Sequence, residues 1–154
     1  MLASDAAAPP RYREPETARA IAAIAASFER LLCCPLADLG EDPVAALWGA
    51  ASVIVAHGTE PDPLFFFGNR AALDAFECAL ESFIGMPSRL TAEAPAREAR
   101  EAMLAQVAAR GFVSDYAGTR VTVTGRRFRI EQAIIWDVSD ARGRRIGQAA
   151  CFTV

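Results

Sequence analysis

The chain has 154 residues, of which 53% are hydrophobic, and this size and composition exclude a disordered chain and suit one domain with its own core. Its 16 basic and 19 acidic side chains are interspersed and give a net charge of −3, which excludes the concentrated basic surface needed to wrap nucleic acid. No apolar run approaches the roughly 20 residues that span a bilayer, and the N-terminus lacks the pattern of a signal peptide. We therefore expect a cytoplasmic protein with neither nucleic acid nor membrane as a partner.

Residues 1–14 are rich in alanine and proline, so we expect a flexible tail there. The next segment, 15–35, begins and ends with proline. Its apolar side chains recur every three or four residues, at Ile21, Ile24, Phe28 and Leu31. This spacing predicts an amphipathic helix that flanks the domain, and the folded domain itself is expected over residues 43–154.

The domain is expected to begin with a short helix, because Asp42 is a suitable N-cap in front of Pro43. Residues 51–57 are rich in β-branched side chains and predict a strand. A connection that contains two prolines leads to a second strand at residues 64–68. Asn69 then provides a plausible cap for the helical segment that follows.

A long helix is predicted over residues 96–111, with Pro95 at its start and Gly111 as its C-terminal stop. Residues 112–154 are rich in β-branched and aromatic side chains and are divided by glycine-containing turns, which predicts three antiparallel strands joined by hairpins. The sequence therefore predicts an α+β fold, a five-stranded antiparallel sheet with helices on one face and an N-terminal amphipathic helix. Such a sheet encloses a pocket between its concave face and the helices.

Alternation along the middle of these three strands places one polar side chain, Gln132, in an apolar row. The other members of the row are Phe128, Ile130, Ile134, Trp136 and Val138. A buried amide without a partner costs about 1–3 kcal/mol, so a neighbouring protein group or the polar edge of a ligand must satisfy Gln132.

The neighbouring strands supply further candidates for ligand contact. Gln148 occupies a similar place on the last strand, while Tyr116 and Arg120 share one face of the preceding strand. If Arg120 points inward, it is suited to hold an anion or carboxylate; if it points outward, it is a solvated charge. The expected ligand-binding set is Gln132, Trp136, Tyr116, Arg120, Gln148 and Phe128.

His57, the only histidine, precedes Glu60 and Asp62, and these three side chains could supply metal ligands. Their spacing matches no known helical or finger site, so we expect a turn histidine that is hydrogen-bonded locally, and no metal. Four cysteines, Cys33, Cys34, Cys78 and Cys151, show no metal or redox spacing. They are expected to be reduced thiols that act as small buried hydrophobic side chains.

The stretch "LFFFGNRAALDAFE" resembles the strand-to-helix junction of PAS domains. Together with "PSRLTAEAPAREAR", "GFVSDYAGTRVTVTGRRFRIEQAIIWDV" and "GQAACF", it makes most of residues 44–152 similar to stand-alone bacterial MEKHLA-domain proteins, which are PAS-like. The resemblance implies a sensory or ligand-binding module but no particular ligand, so the cofactor is unknown. A photoactive flavin domain would need a cysteine in an Asn-Cys-Arg motif, and the corresponding "GMPSRLTAE" contains none.

We therefore expect a PAS-like sensory domain in signalling, with a possible small-molecule ligand and no catalytic residues. Its output would pass through a separate signalling protein or through a homodimer formed by the helix at 15–35; otherwise that helix packs on the outer sheet face over Ala133 and Ile135. One alternative is a structural dimerisation module with a filled core. Another is a small α+β cavity enzyme of the isomerase or cyclase type, which would need an inward acid that the predicted inner faces lack.

Overall fold

The computed structural model describes residues 7–93 and 97–154. Five antiparallel strands form one sheet with the spatial order β2-β1-β5-β4-β3. The strands are β1 (Val53–His57), β2 (Phe65–Gly68), β3 (Phe112–Val121), β4 (Arg127–Ser139) and β5 (Arg145–Phe152). The helices are α1 (Pro15–Leu32), α2 (Pro43–Trp48), α3 (Arg70–Phe76), α4 (Leu80–Phe83) and α5 (Arg97–Arg110). The predicted fold class is confirmed.

Two of the predicted helix caps form the expected hydrogen bonds. The Asp42 carboxylate accepts from the Ala45 amide of α2 at 3.1 Å, and the Asn69 side-chain oxygen accepts from the Ala72 amide of α3 at 3.0 Å. These bonds satisfy backbone N–H groups that have no partner inside the helix. Pro95, the expected start of α5, lies outside the described residues.

The N-terminal segment packs against the domain where the structure describes it. Pro10–Arg13 form a 3-10 helix within the region expected to be a flexible tail, and Tyr12 is 1% exposed. The Tyr12 hydroxyl donates to the Gly68 carbonyl at 2.8 Å and accepts from the Gly68 amide at 3.1 Å. Burial raises the pKa of Tyr12 to about 12. Residues 1–6 lie outside the described residues, and the division at 1–14, 15–35 and 43–154 stays a prediction.

The sheet has an outer face covered by α1 and α2 and an inner face covered by α3 and α4. The outer core contains Ile21, Ile24, Phe28, Leu47, Trp136 and Val138. The inner core contains Val55, Phe65, Phe76, Phe83, Ile130 and Phe152. The apolar stripe of α1 thus packs on the sheet of the same chain. None of the described helices is both long enough and apolar enough to cross a membrane.

A β-bulge at Gln132 changes which side chains face the helices. Gly118 pairs with Ile130 and Tyr116 pairs with Ala133, so β4 has one more residue than β3 in this interval. Gln132 has a positive φ of 55° and is exposed. The prediction that Gln132 lies in a buried apolar row is therefore wrong.

The extra residue reverses the alternation in the second half of β4, because a shift of one residue turns every later side chain to the opposite face. Ile130, Ala133 and Ile135 face inward, whereas Trp136 belongs to the outer core with Ile134 and Val138. The predicted inner position of Trp136 is thus wrong. The residues that α1 covers are Ile134, Trp136 and Val138, not Ala133 and Ile135.

Replacing Gln132 by glycine is expected to raise the free energy of unfolding by about 1 kcal/mol, because glycine adopts a left-handed backbone without the steric cost that a side chain carries. Glu131→Gly is the matched control, since Glu131 is also exposed but has no positive φ. It should lower stability by about 0.5–1 kcal/mol. Urea denaturation followed by circular dichroism measures both, and equal losses in the two variants would contradict the bulge.

The cysteines do not share one environment. Cys33 ends α1 with a left-handed backbone (φ 59°), and both Cys33 and Cys34 are exposed because the chain leaves the sheet at this point. The prediction of buried thiols is therefore wrong for these two residues. Cys78 and Cys151 are partly buried, and burial raises the pKa of each thiol.

Candidate functional site

An open cavity of about 500 Å³ lies on the inner face of the sheet. Its walls come from all five strands, from Phe76 of α3, from Met103 of α5, and from two connecting segments, 61–63 and 88–93. The apolar part of the wall consists of Val55, Phe65, Phe76, Met103, Ile135 and Phe152. The volume is in the range of about 300–1,000 Å³ that is typical of sites for small organic molecules.

Arg120 provides a positive charge at this cavity. Its guanidinium carbon lies 5.9 Å from the centre of the Tyr116 ring. Desolvation lowers the pKa of Arg120, and the contact with Tyr116 opposes this shift only in part. The guanidinium nevertheless stays protonated at neutral pH, as arginine does in proteins.

No carboxylate of the described residues forms an ion pair with Arg120. Glu93 also lines the cavity, but its carboxylate is paired with Arg127. Asp62 lines the cavity as well and is paired with Arg89 at 3.2 Å. The acidic side chains at the cavity wall are thus each engaged by another arginine, and the charge of Arg120 faces the cavity uncompensated.

His57 and Gln148 lie opposite each other on β1 and β5 and both line the cavity. The His57 ring Nδ1 is 2.9 Å from the Gly58 carbonyl oxygen, which is the local contact expected of a turn histidine. Among residues 7–93 and 97–154, no group of three His, Cys, Asp or Glu side chains could hold a metal ion. The Gln148 amide has no hydrogen-bond partner in the described part of the chain, so it is available to a ligand.

The two loop segments at the cavity are fastened to each other. The Asp62–Arg89 ion pair connects the β1–β2 connection to the 3-10 helix Ser88–Thr91. The Ser88 amide also donates to the Pro63 carbonyl at 2.9 Å, and the Thr91 hydroxyl donates to the Ser88 carbonyl at 2.8 Å. Because the ion pair is exposed, the backbone bond contributes more reliably than the charges to holding these segments together.

The cavity brings together three of the six predicted ligand-binding residues: Tyr116, Arg120 and Gln148. Phe128 lies on the inner face with its ring 5.6 Å from that of Phe76, but it does not line the cavity. Gln132 is at the bulge. Trp136 donates its ring N–H to the Ile24 carbonyl at 3.1 Å and packs edge-on against Phe28, on the opposite side of the sheet.

Met103 and Phe152 also line the cavity, although neither was among the residues predicted for the site. Met103 comes from the long helix α5, and its apolar position on the side of α5 that also carries Val107 was the available signal. Phe152 is the last residue of β5 and shares its face with Gln148 and Ala150, four and two residues earlier. Of the four cysteines, all within the described ranges, none lines the cavity.

The comparisons with known proteins agree with this architecture. A family model described as "MEKHLA domain" matches residues 18–154. The homeobox-leucine zipper protein REVOLUTA of Arabidopsis thaliana is 28% identical over 117 residues, which is 75% of this chain and 14% of that protein. The homeobox-leucine zipper protein HOX33 of Oryza sativa subsp. japonica is 28% identical over 98 residues, 64% of this chain and 12% of that protein.

The chain thus spans about one eighth of the length of these curated relatives. They are plant proteins, so they do not support the expectation of a stand-alone bacterial type.

Solved structures with the same fold are PAS and light-oxygen-voltage domains. A PAS domain from Colwellia psychrerythraea superposes with a TM-score of 0.55 at 13% identity, covering 69% of this chain and 87% of that one. A light-oxygen-voltage domain studied with a flavin analogue gives a TM-score of 0.57 at 19% identity, covering 74% and 84%. At these identities the similarity concerns the fold alone. The family match extends over most of the chain, and the chain therefore belongs to the MEKHLA-domain family and has a PAS-like fold.

Proposed function

We propose that this protein is a sensory domain that binds a small molecule in the inner cavity and has no catalytic output of its own. The observation that carries the proposal is the cavity of about 500 Å³, which combines an apolar wall with two polar side chains. In the described part of the chain, Arg120 has no ion-pair partner and the Gln148 amide has no hydrogen-bond partner. This combination is typical of a site in which apolar surface gives affinity and a few polar contacts fix orientation.

Two alternatives have less support. A structural module with a filled core would have its inner face closed by side chains, whereas here the space between β5 and Met103 is open. A cavity enzyme would need a free acid or base at its wall. Asp62 and Glu93 are each ion-paired with an arginine, and the His57 ring contacts a backbone carbonyl, which favours a binding site over a catalytic one.

The way in which the signal leaves the domain is also part of the proposal. The apolar side of α1 is buried against the sheet, so only its exposed side can contact another protein. We expect the signal to pass through this side, either in a homodimer or to a separate signalling protein. Sedimentation equilibrium would test the homodimer directly.

Location in the cytoplasm, the absence of nucleic-acid and membrane partners, and the stand-alone bacterial type remain predictions. No cofactor is assigned, and covalent flavin chemistry is not carried over because no cysteine lines the cavity.

The cavity itself is tested by filling it. Ala150 lines the cavity from β5, and Ala150→Phe is expected to weaken the binding of naphthylacetamide, a neutral apolar probe, by about tenfold or more, equivalent to about 1.4 kcal/mol. Isothermal titration calorimetry measures the affinity, with circular dichroism to confirm that the variant is folded. Ala141→Phe, in the exposed β4–β5 turn, is the matched control. Equal affinities in the wild type and the Ala150 variant would contradict the proposal.

A further inference from the structure

We propose that the ligand of this cavity is an organic anion, a carboxylate with an apolar body, and that Arg120 and Tyr116 hold its carboxylate. This inference rests on the proposed ligand-binding function and names the chemical class of the ligand. It is argued from the charge at the cavity, the geometry of the polar groups and the shape of the apolar wall.

The charge balance at the cavity selects an anion. Among the described residues, the other side chains of the wall that carry a full charge are ion-paired, in Asp62–Arg89 and Glu93–Arg127. Arg120 is left with one positive charge on a half-buried side chain that lines the cavity. A charge taken out of water without a counter-charge is unfavourable, and a bound carboxylate removes that penalty. A cationic ligand would instead add a second unpaired positive charge.

The geometry of Arg120 and Tyr116 suits a carboxylate. The guanidinium carbon of Arg120 lies 5.9 Å from the centre of the Tyr116 ring and both side chains line the cavity, so one acceptor there can lie close to both groups. The remaining guanidinium N–H groups form a planar fork that matches two carboxylate oxygens. One ligand carboxylate can therefore accept hydrogen bonds from both side chains, which also keeps Arg120 in place. The backbone pairing of Arg120 with Ala92 fixes the base of this arginine at the cavity wall.

The rest of the wall fits an apolar body of moderate length. The inward side chains of β5 that line the cavity run from Gln148 through Ala150 to Phe152, which at about 3.3 Å per residue is a distance of about 13 Å. Phe65, Phe76 and Met103 close this stretch from other elements. The ligand class is thus an extended or aromatic monocarboxylate, and the free amide of Gln148 is suited to a polar group distant from the carboxylate.

The experiment compares naphthylacetate with naphthylacetamide, two probes of nearly equal shape that differ in charge. In isothermal titration calorimetry, the wild type is expected to bind naphthylacetate at least about tenfold more tightly than the amide. Arg120→Met keeps most of the side-chain volume and is expected to abolish this preference, because it lowers the affinity for naphthylacetate far more than the affinity for the amide. Arg129→Met, an exposed arginine on the same hairpin, is the matched control and should keep the preference.

A second measurement separates ligand recognition from a structural role of Arg120. Without ligand, Arg120→Met is expected to be at least as resistant to urea as the wild type, because it removes a desolvated charge that has no counter-charge. If that variant does not fold, Arg120→Gln tests the same preference with a neutral polar side chain.

Equal affinity of the wild type for the two probes, or a preference retained in the Arg120 variants, would overturn the anion assignment. The proposed ligand-binding function would survive those results as long as the amide binds and Ala150→Phe weakens it. Failure of both probes to bind the wild type would overturn both proposals. The two failures are therefore distinguishable.

Discussion

Replacing Asn69 by alanine is expected to lower the free energy of unfolding by about 4 kcal/mol, because four hydrogen bonds to backbone groups, three of them buried, would be lost at about 1 kcal/mol or more each. Asn69 is 0% exposed. Its side-chain oxygen accepts from the amides of Ile54 and Ala72 at 3.1 and 3.0 Å. Its side-chain nitrogen donates to the carbonyls of Leu47 and Ser52 at 3.1 and 2.8 Å. One side chain thus joins α2, β1 and α3.

The matched control is Asp42→Ala, which removes a helix cap of the same kind at an exposed position. That change should lower stability by about 1 kcal/mol, so the difference between the two variants measures the buried network rather than capping alone. Asn69→Asp keeps the acceptor but puts a carboxylate oxygen against the Leu47 and Ser52 carbonyls, so it should also be far less stable than the wild type. Urea denaturation at neutral pH measures all three. If Asn69→Ala lost no more stability than Asp42→Ala, the network would not be the main connection between these elements.

The role of Asn69 also shows where prediction from sequence succeeds and where it stops. An asparagine in front of a helical segment predicts a cap, and the bond to the Ala72 amide confirms it. The other three bonds join residues 15 to 22 positions apart. They depend on how β1 and α2 pack against the start of α3, and no local pattern contains that information.

Gln132 marks the place at which periodicity fails. Alternation predicts strand faces correctly as long as the register is unbroken, which is why β4 itself and the inward position of Ile130 were predictable. A bulge inserts one residue without changing the hydrophobic composition of the strand. Glutamine does not favour a positive φ, so the residue type at position 132 gave no signal for the bulge. The error therefore passed to Trp136, four positions later.

The predicted site was recovered in part for the same reason. The register of β5 with both neighbouring strands is unbroken from Gln148 to Cys151, so the inward position of Gln148 could be predicted from β5 alone. Tyr116 and Arg120 were expected to share a face, and both line the cavity. The sequence left the direction of that face open, because β3 lies at the edge of the sheet and its pattern of polar and apolar side chains fits either orientation.

The neighbouring residues Ile135 and Trp136 provide the sharpest test of the two-sided arrangement of the sheet. Ile135 lines the inner cavity, while Trp136 is buried in the outer core and bonded to α1. Trp136→Ala is expected to lower the free energy of unfolding by about 4 kcal/mol, because it opens a large cavity under α1 and leaves the Ile24 carbonyl without this partner. Ile135→Ala should cost about 2–3 kcal/mol.

Their effects on binding should be the reverse of their effects on stability. Trp136→Phe, which keeps an aromatic ring under α1, should leave the affinity for naphthylacetate within about twofold of the wild type, because no atom of Trp136 lines the cavity. Ile135→Ala should lower the affinity for naphthylacetate by about tenfold, because it removes part of the apolar wall. Calorimetric titration at a temperature where both variants are folded makes the comparison. A strong loss of binding in Trp136→Phe with none in Ile135→Ala would mean that β4 keeps its simple alternation and that Gln132 and Trp136 face the ligand after all.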